Sequence, residues 1–496
     1  MEIHIFFFTF SCFLLLIYKL SNPRKSNKGL TLPPGPWKLP LIGNIHQIVG
    51  SLPHHSFRNL ANKYGPLMHL QLGQTSSVIV SSSEIAKQIF TTHDLVFSNR
   101  PDVFAAKIIS YNNIGIGFSP YGNHWRQLRK ICTLELLTPK RVRSFRYIRE
   151  EEVSALIKDI CSNEGSLINL SEKVFATTNS IISRAAFGKK SRDQEAFIDS
   201  LKDTMKLIGG FSVVDLFPSI KALQVITGMK AKLERIHRLN DEIIENIIRD
   251  HKERKARNNE SNEENLLHVL LKIQQGKDLE LPLTHDHVKV VLLDMFIAGS
   301  ETSSTTLEWA MAELMKNPKV MEEAQAEVRK IYKEKGYVDE SEIHQLKYLN
   351  SIVKETLRLH PPGVLLLPRE NTQVCVINGY EIPKKTKIIV NGWAIMRDPK
   401  FWDDADTFKP ERFLDNPIDF RGMNFDYIPF GAGRRMCPGI NLAMPNIELP
   451  LANLLYHFDW KLPNEITHEE FDMSEMFGVS VRRAENLWLV PVVYQS

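Results

Sequence analysis

The sequence predicts a mainly α-helical protein with a minor β region, and three observations carry that prediction. Residues recur three and four apart in Trp125, Leu128, Arg129 and Cys132, in Val288, Val291, Leu292 and Met295, and in Leu346, Leu349, Ile352 and Val353, which is the spacing of a helix stripe. Pro361-Pro362 stops the last of these helices, because proline lacks the N–H and blocks continuation. Beyond it, Val374-Cys375-Val376-Ile377 and Tyr380-Glu381-Ile382 flank Asn378-Gly379, a dipeptide suited to a type I′ hairpin.

The chain begins with a different texture. Ile5 to Tyr18 is almost wholly apolar and is followed by Lys19, Arg24, Lys25 and Lys28; the run is shorter than the ~20 residues an untilted span prefers. A cleaved signal peptide wants a basic start and a small-residue cleavage site, but Glu2 and His4 precede the run and no such site comes after it. Residues 1–20 are therefore expected to form a retained transmembrane anchor whose positive flank, and with it the body, faces the cytosol. On that orientation the sequons Asn169-Leu170-Ser171 and Asn259-Glu260-Ser261 stay unmodified. Residues 21–36 read as a basic linker ending in Pro33-Pro34-Gly35-Pro36, stiff enough to set the direction in which the chain leaves it. Residues 37–496 make up the body.

With 496 residues, 43% of them hydrophobic, the chain can bury a large core, and length alone permits about two to four domains. Cys12, Cys132, Cys161, Cys375 and Cys437 are odd in number and scattered, without Cys-x-x-Cys spacing, which argues for a reducing compartment and against a disulfide framework. A formal charge of +4 gives no basis for nucleic-acid binding. No Gly-x-Gly-x-x-Gly fingerprint comes after a strand, so the chain is not expected to bind NADPH itself. Asn258 to Asn265 reads as a solvated loop and Lys230 to Arg257 as a solvated helix face.

Cys437 is the most informative residue. It lies in Phe430-Gly431-Ala432-Gly433-Arg434-Arg435-Met436-Cys437-Pro438-Gly439, which joins a lone thiol to cationic and backbone-permissive positions. Taken alone, such a cysteine is most simply a small buried hydrophobe in a glycine-rich turn. The loop also holds what a haem-thiolate centre requires. Positive charge and N–H donors keep a sulfur ionised, Gly433 and Gly439 allow a tight turn and close approach to a flat macrocycle, and Arg435 suits a haem propionate.

Three other segments bear chemistry. Ala298-Gly299-Ser300-Glu301-Thr302 lies inside the long apolar helix pattern. There a glycine costs on the order of 1 kcal/mol relative to alanine, but it opens a gap beside a carboxylate and a hydroxyl; a kink with a solvated glutamate is the competing reading. Glu355 and Arg358 share a helical face, and in isolation describe an exposed pair worth at most about 1 kcal/mol. Trp125 and Arg129, four residues apart, project to one side and offer an indole donor and a guanidinium.

Phe430, Gly433, Arg435, Cys437 and Gly439 together match the haem-binding signature of the cytochrome P450 family. The whole chain resembles that family's plant microsomal members, which hydroxylate terpenoids and alkaloids. The resemblance implies a single large helical haem domain over 37–496, in place of several domains, with the proline-rich hinge orienting it on the endoplasmic reticulum membrane. It implies haem b with Cys437 as axial thiolate and metal ligand, Trp125, Arg129, Arg369 and Arg435 as propionate partners, and Phe430, Gly433 and Gly439 around the thiolate. Glu355, Arg358 and Arg412, the last in Pro410-Glu411-Arg412-Phe413, are implied to form a buried network holding the loop beneath the haem. Glu301 and Thr302 are the implied catalytic pair, serving proton delivery to dioxygen. Positions carried over from the family's substrate-facing regions are Phe104, Ile109, Ile116, Ile297, Ala298, Val364, Leu365, Phe477 and Val479. Each is individually as good a packing residue; as a set they suit a lipophilic ligand.

The implied activity is a monooxygenase that inserts one atom of O2 into a lipophilic plant metabolite, a terpenoid first and an indole alkaloid as the alternative. The implied electron source is NADPH, through a membrane-bound flavin reductase whose acidic surface Lys130 and Arg434 would meet. Two further readings keep the haem site: an O2-independent isomerase or dehydratase acting on a peroxide, which needs no proton relay, and a non-catalytic haem-binding protein.

Overall fold

Asn378 and Gly379 both adopt left-handed angles, with φ of 49° and 78°, and strands Cys375–Ile377 and Tyr380–Ile382 pair antiparallel across them. That is the twist a two-residue turn must have to match its strands. A computed structural model describes residues 31–189, 194–256, 265–276, 279–463 and 466–495. The expected anchor, most of the linker and the Asn259 sequon lie outside these residues. Among the described residues no helix is long and apolar enough to cross a membrane.

The described chain sorts into two compact units. The first comprises residues 31–101, Phe211–Met229 and Leu365–Ile395. Its sheet starts with a hairpin, Leu67–Leu72 against Thr75–Val80, turned at Gly73, where φ is +59°. Thr75–Val80 then pairs parallel with Lys387–Val390, placing Val78 opposite Ile388, and Arg369–Glu370 adds an antiparallel edge. Phe57, Met68, Leu70, Leu72, Ile79 and Ile389 are buried together beneath it, each contributing about 1.5–3 kcal/mol of apolar burial. The proline-rich segment lies along this sheet: the Pro34 carbonyl accepts from His69 N at 2.8 Å. Gly35 is required there, because a Cβ would stand 2.1 Å from the His69 carbonyl oxygen.

The second unit comprises Asp102–Gly210, Lys230–Val364 and residues 396–495. Helices α1 (Asn123–Ile131), α2 (Leu170–Phe187), α3 (His285–Lys316), α4 (Lys347–Leu359) and α5 (Ile440–His457) build its functional region. α2 starts where Asn169 accepts from Glu172 N and ends at Gly188, φ 77°, so both ends carry standard caps. α3 opens with a reciprocal box: the Thr284 side chain accepts from His287 N, and the His287 ring accepts from Thr284 N. α4 ends at Leu359, before the two prolines, and the next residue, His360, stacks on Trp309 of α3 at 4.0 Å while bonding Glu313 at 2.7 Å. The helix Met229–Ala256 buries Leu233, Ile236, Ile243, Ile244, Ile247 and Ile248 and leaves its charged residues largely on the other faces. A short sheet in which Trp488–Val493 pairs with Ile168–Asn169 and with Phe458–Lys461 completes the unit.

Candidate active site

From Val288 to Met315 the long helix α3 is buried at every position except Asp294, Ile297, Ala298, Gly299 and Thr302. Asp294, Ala298 and Thr302 fall four residues apart, with Ile297 three after Asp294, and so form a single open stripe on a helix otherwise enclosed in packing. Gly299 stands at its margin, facing α2: a Cβ there would meet Ile182 Cδ1 at 3.0 Å. The glycine therefore permits close approach of two helices. Thr302 donates its hydroxyl to the Ala298 carbonyl at 2.5 Å, and so faces the opening with its lone pairs. Glu301 is 8% exposed, which replaces the solvated-glutamate reading. Burial raises its carboxyl pKa, against the pull of Arg482, Lys202 and Lys206.

The cysteine loop is held by its own backbone. Cys437 N donates to the Phe430 carbonyl at 3.0 Å, Met436 N to that of Gly433 at 3.0 Å, and Gly431 N to that of Ile428 at 2.9 Å. Gly431 and Gly433 both have φ of 69°, in the region that favours glycine. Gly431 was not singled out from sequence, although its place in the glycine-rich run was the available signal. Gly439 departs from expectation: its φ of −89° is ordinary backbone at the start of α5. Its N–H donates to the Cys437 sulfur at 3.3 Å, and a Cβ on it would sit 3.7 Å from that sulfur. Burial raises the Cys437 thiol pKa, opposed by this N–H and by the Arg129 guanidinium.

Three candidate propionate partners gather beside the loop. Arg129 donates to the Met436 carbonyl at 2.5 Å. Arg435 is 9% exposed, donates to the Ser119 carbonyl at 2.6 Å, and lies over the Trp125 ring. The Trp125 indole N–H goes to the Ile116 carbonyl at 3.1 Å, so its ring supports Arg435 while its donor is engaged by backbone. Arg369 belongs to the first unit, where it pairs with Asp94 at 2.7 Å and lies over Phe90.

Glu355 and Arg358, both 0% exposed, are far from the exposed pair that isolated reading describes. Arg358 donates to Glu355 through Nε at 2.7 Å and Nη2 at 2.8 Å, and to the carbonyls of Met396 and Ala405 at 2.8 and 2.7 Å. Arg412 Nε reaches Glu355 Oε1 at 3.0 Å, which also accepts from Lys409 N at 2.9 Å. A carboxylate and two guanidiniums are thus fully paired, which is the condition for burying charge. Tyr427 extends the tie by donating to the Lys354 carbonyl at 2.8 Å, so α4 grips the segment that leads into the cysteine loop.

Among the pocket candidates, Ile297 and Ala298 lie on the open stripe, and Phe104, Ile116, Phe477 and Val479 are half-buried. Ile109 and Val364 are 1% and 2% exposed; packing uses up their surface, and they offer none to a ligand. Leu365 packs on the core of the first unit. Lys130 and Arg434 are exposed.

One soft sulfur ligand flanked by two guanidiniums suits a group that makes a single axial metal bond and presents carboxylates, so the donor set fits a haem. Residues 33–489 match the family model described as Cytochrome P450. The chain belongs to the cytochrome P450 family. Among its relatives, cytochrome P450 71D10 of Glycine max is 56% identical over 99% of both chains. Desmethyl-deoxy-podophyllotoxin synthase of Sinopodophyllum hexandrum is 54% identical, covering 97% of this P450 and 95% of that protein. Premnaspirodiene oxygenase of Hyoscyamus muticus is 50% identical, covering 98% and 97%. A zebra fish cytochrome P450 solved with abiraterone superposes with a TM-score of 0.75 at 25% identity, covering 90% of this chain and 100% of that one. The helical body with small β regions is the P450 fold, the enzyme is a monooxygenase, and membership brings a haem iron with a thiolate ligand.

Proposed function

We propose that this P450 hydroxylates a lipophilic plant specialised metabolite, a terpenoid in the first place, with Cys437 as the thiolate that would hold the iron of haem b. The observation that carries the substrate class is the open stripe of α3, which presents Ile297 and Ala298 as apolar wall and Thr302 as a hydroxyl. Such a surface rewards shape and apolar area. Premnaspirodiene oxygenase and 5-epiaristolochene 1,3-dihydroxylase among the relatives support a terpenoid; tabersonine 6,7-epoxidase isoform 1 supports the indole alkaloid alternative.

Bound haem supplies the redox chemistry with O2. Arg129 and Arg435 would hold its carboxylates, with the Trp125 ring backing Arg435. Glu355, Arg358 and Arg412 fix the segment ahead of the cysteine loop. Thr302, already donating to Ala298, accepts from a proton-bearing oxygen in the opening. Glu301, whose carboxyl pKa burial raises, is suited to hand on a proton. Electrons come from NADPH through a membrane-bound flavin reductase that Lys130 and Arg434 meet, and the apolar run in residues 1–20 anchors the enzyme in the endoplasmic reticulum membrane.

The test is to screen microsomes carrying this chain and a reductase against terpene and alkaloid panels, reading products by mass spectrometry. NADPH- and O2-dependent hydroxylated terpene is the expected result. Turnover without NADPH and O2 would show isomerase or dehydratase chemistry, and ligand binding without turnover a non-catalytic haem protein. Cys437→Ser should abolish the thiolate-type carbon monoxide band of the reduced protein; a variant that keeps the band would refute the axial assignment.

A further inference from the structure

Asp294 stands on the open stripe of α3, one turn before Ala298 and two before Thr302, and belongs to none of the groups that hold haem or handle protons. Its carboxylate faces a stretch of backbone 178 residues earlier, accepting from Ile116 N at 2.7 Å and from Gly117 N at 3.4 Å. The approach is close enough that a Cβ on Gly115 would stand 2.5 Å from Asp294 Oδ2 and 2.9 Å from Val290 Cγ2. Glycine at 115 is what lets the backbone reach the acid.

The same stretch is held from its other side by carbonyls. Ile114 O accepts from His124 Nε2 at 2.9 Å, Ile116 O from Trp125 Nε1 at 3.1 Å, and Ser119 O from Arg435 at 2.6 Å. Upstream, Tyr111, Asn112 and Asn113 take left-handed angles with φ of 51°, 62° and 61°. Three consecutive non-glycine residues in that region, even with asparagine at two of them, persist only when surrounding contacts hold them. The Tyr111 hydroxyl supplies one such contact, to Asp241 at 2.6 Å. A strained segment is therefore pinned between α3, through its N–H groups, and the residues beside the cysteine loop, through its carbonyls.

We propose that Asp294 is a positioning residue that sets where the Ile116 side chain stands in the substrate opening, by fixing the Gly115–Gly117 backbone against α3. The role rests on reading the α3 stripe as the substrate side. Asp294 does no chemistry on the substrate; it decides how much room lies opposite Ala298. Because Ile116 also carries the Trp125 bond, displacement of the segment reaches the ring on which Arg435 rests.

The experiment uses full-length holoprotein and two azole probes read by their difference spectra: imidazole, which needs only the iron, and phenylimidazole, whose ring must also fit the opening. Asp294→Ala should weaken phenylimidazole about tenfold, because the Ile116 and Gly117 N–H groups lose their acceptor and the segment is no longer held in place, and leave imidazole unchanged. Asp294→Asn keeps an acceptor oxygen and should stay within about twofold of the parent for both. A merely structural residue would shift both probes together or neither. An Ala variant with an unchanged ratio of the two affinities overturns the proposal. Where Asp294→Ala fails to take up haem, Gly115→Ala decides: it keeps the acid but forces the backbone off it, and it too should weaken phenylimidazole selectively, an unaltered ratio again overturning the role. Failure of the substrate reading would look different, as a parent enzyme that turns over no terpene while the azole ratio still moves.

Discussion

The guanidinium of Arg435 lies 4.2 Å from the centroid of the Trp125 ring. The two residues are 310 positions apart in sequence, and with the bond to the Ser119 carbonyl the contact holds the arginine beside the cysteine loop. A cation on an indole face contributes about 0.5–2 kcal/mol. Trp125→Phe should keep most of that contact while losing the bond to Ile116, and Trp125→Ala should lose both. Haem content per protein, measured by pyridine haemochromogen absorbance, is expected to fall modestly in the first and severely in the second.

The Glu355 carboxylate is the shared acceptor of Arg358, Arg412 and the Lys409 N–H. Its removal strands two guanidiniums, one of them fully enclosed, a loss of about 3–5 kcal/mol. Glu355→Ala should give haem-free or insoluble protein, read from the ratio of Soret to protein absorbance. Arg358→Lys should fail almost as badly, because an ammonium cannot reproduce the fork that meets Glu355, Met396 and Ala405 together. Normal haem content in either variant would remove the network from its role.

Thr302 makes its back-bond within α3, so truncation leaves the helix intact. Thr302→Ala should bind haem normally, show the parent carbon monoxide spectrum, and divert reducing equivalents into hydrogen peroxide. Thr302→Ser should restore coupling in large part. Stoichiometry of NADPH consumed, peroxide formed and product released measures both, and unchanged coupling in the alanine variant would count against the assignment.

Although Asp294 is part-exposed as a residue, its carboxyl is turned into the Gly115–Gly117 backbone, and the lost hydration, opposed by the Ile116 and Gly117 N–H groups, pushes it up to about 6 from 3.8; its titratable neighbour Cys132 is itself pushed up to about 12 and stays neutral. The folded state therefore holds the Asp294 proton more tightly than the unfolded chain does. That contribution to stability is complete below about 3.8 and is lost as pH rises through about 6. Above neutrality the ionised acid costs at most about 3 kcal/mol relative to a neutral isostere. Asp294→Asn should accordingly melt above the parent at about pH 7.5 in thermal denaturation of the holoprotein, with the gap narrowing as the pH is lowered to about 5. A pH-independent gap would contradict the shift.

Where the chemistry is local, the sequence was sufficient. The helix stripes, the Asn378-Gly379 turn and the double-proline stop depend on neighbours within one or two turns, and each stands where its pattern places it. Glu355 and Arg358 show the opposite case: three residues apart on a helix, they look like a surface pair, and only Met396, Ala405 and Arg412, brought in from elsewhere, make them a buried centre. The parallel pairing of Thr75–Val80 with Lys387–Val390, the Arg369–Asp94 ion pair and the Asp294 clamp likewise join segments that share no local signal. Gly299 was legible as an anomaly but not in its cause, since Ile182 lies on another helix. Ile109 and Val364 read equally well as wall or core; the surface left to each after folding decides, and that quantity has no local pattern.

The enclosure of α3 on all sides but one divides its residues into two populations with different tolerance of substitution. Substitution at Ser303 or Thr305 must satisfy neighbours fixed in several directions at once, so most changes there are felt as lost foldedness. Ile297 and Ala298, on the open side, are bound by fewer such neighbours. On the proposed reading of this strip as the substrate side, single replacements there would change what the opening admits while leaving the core as it is.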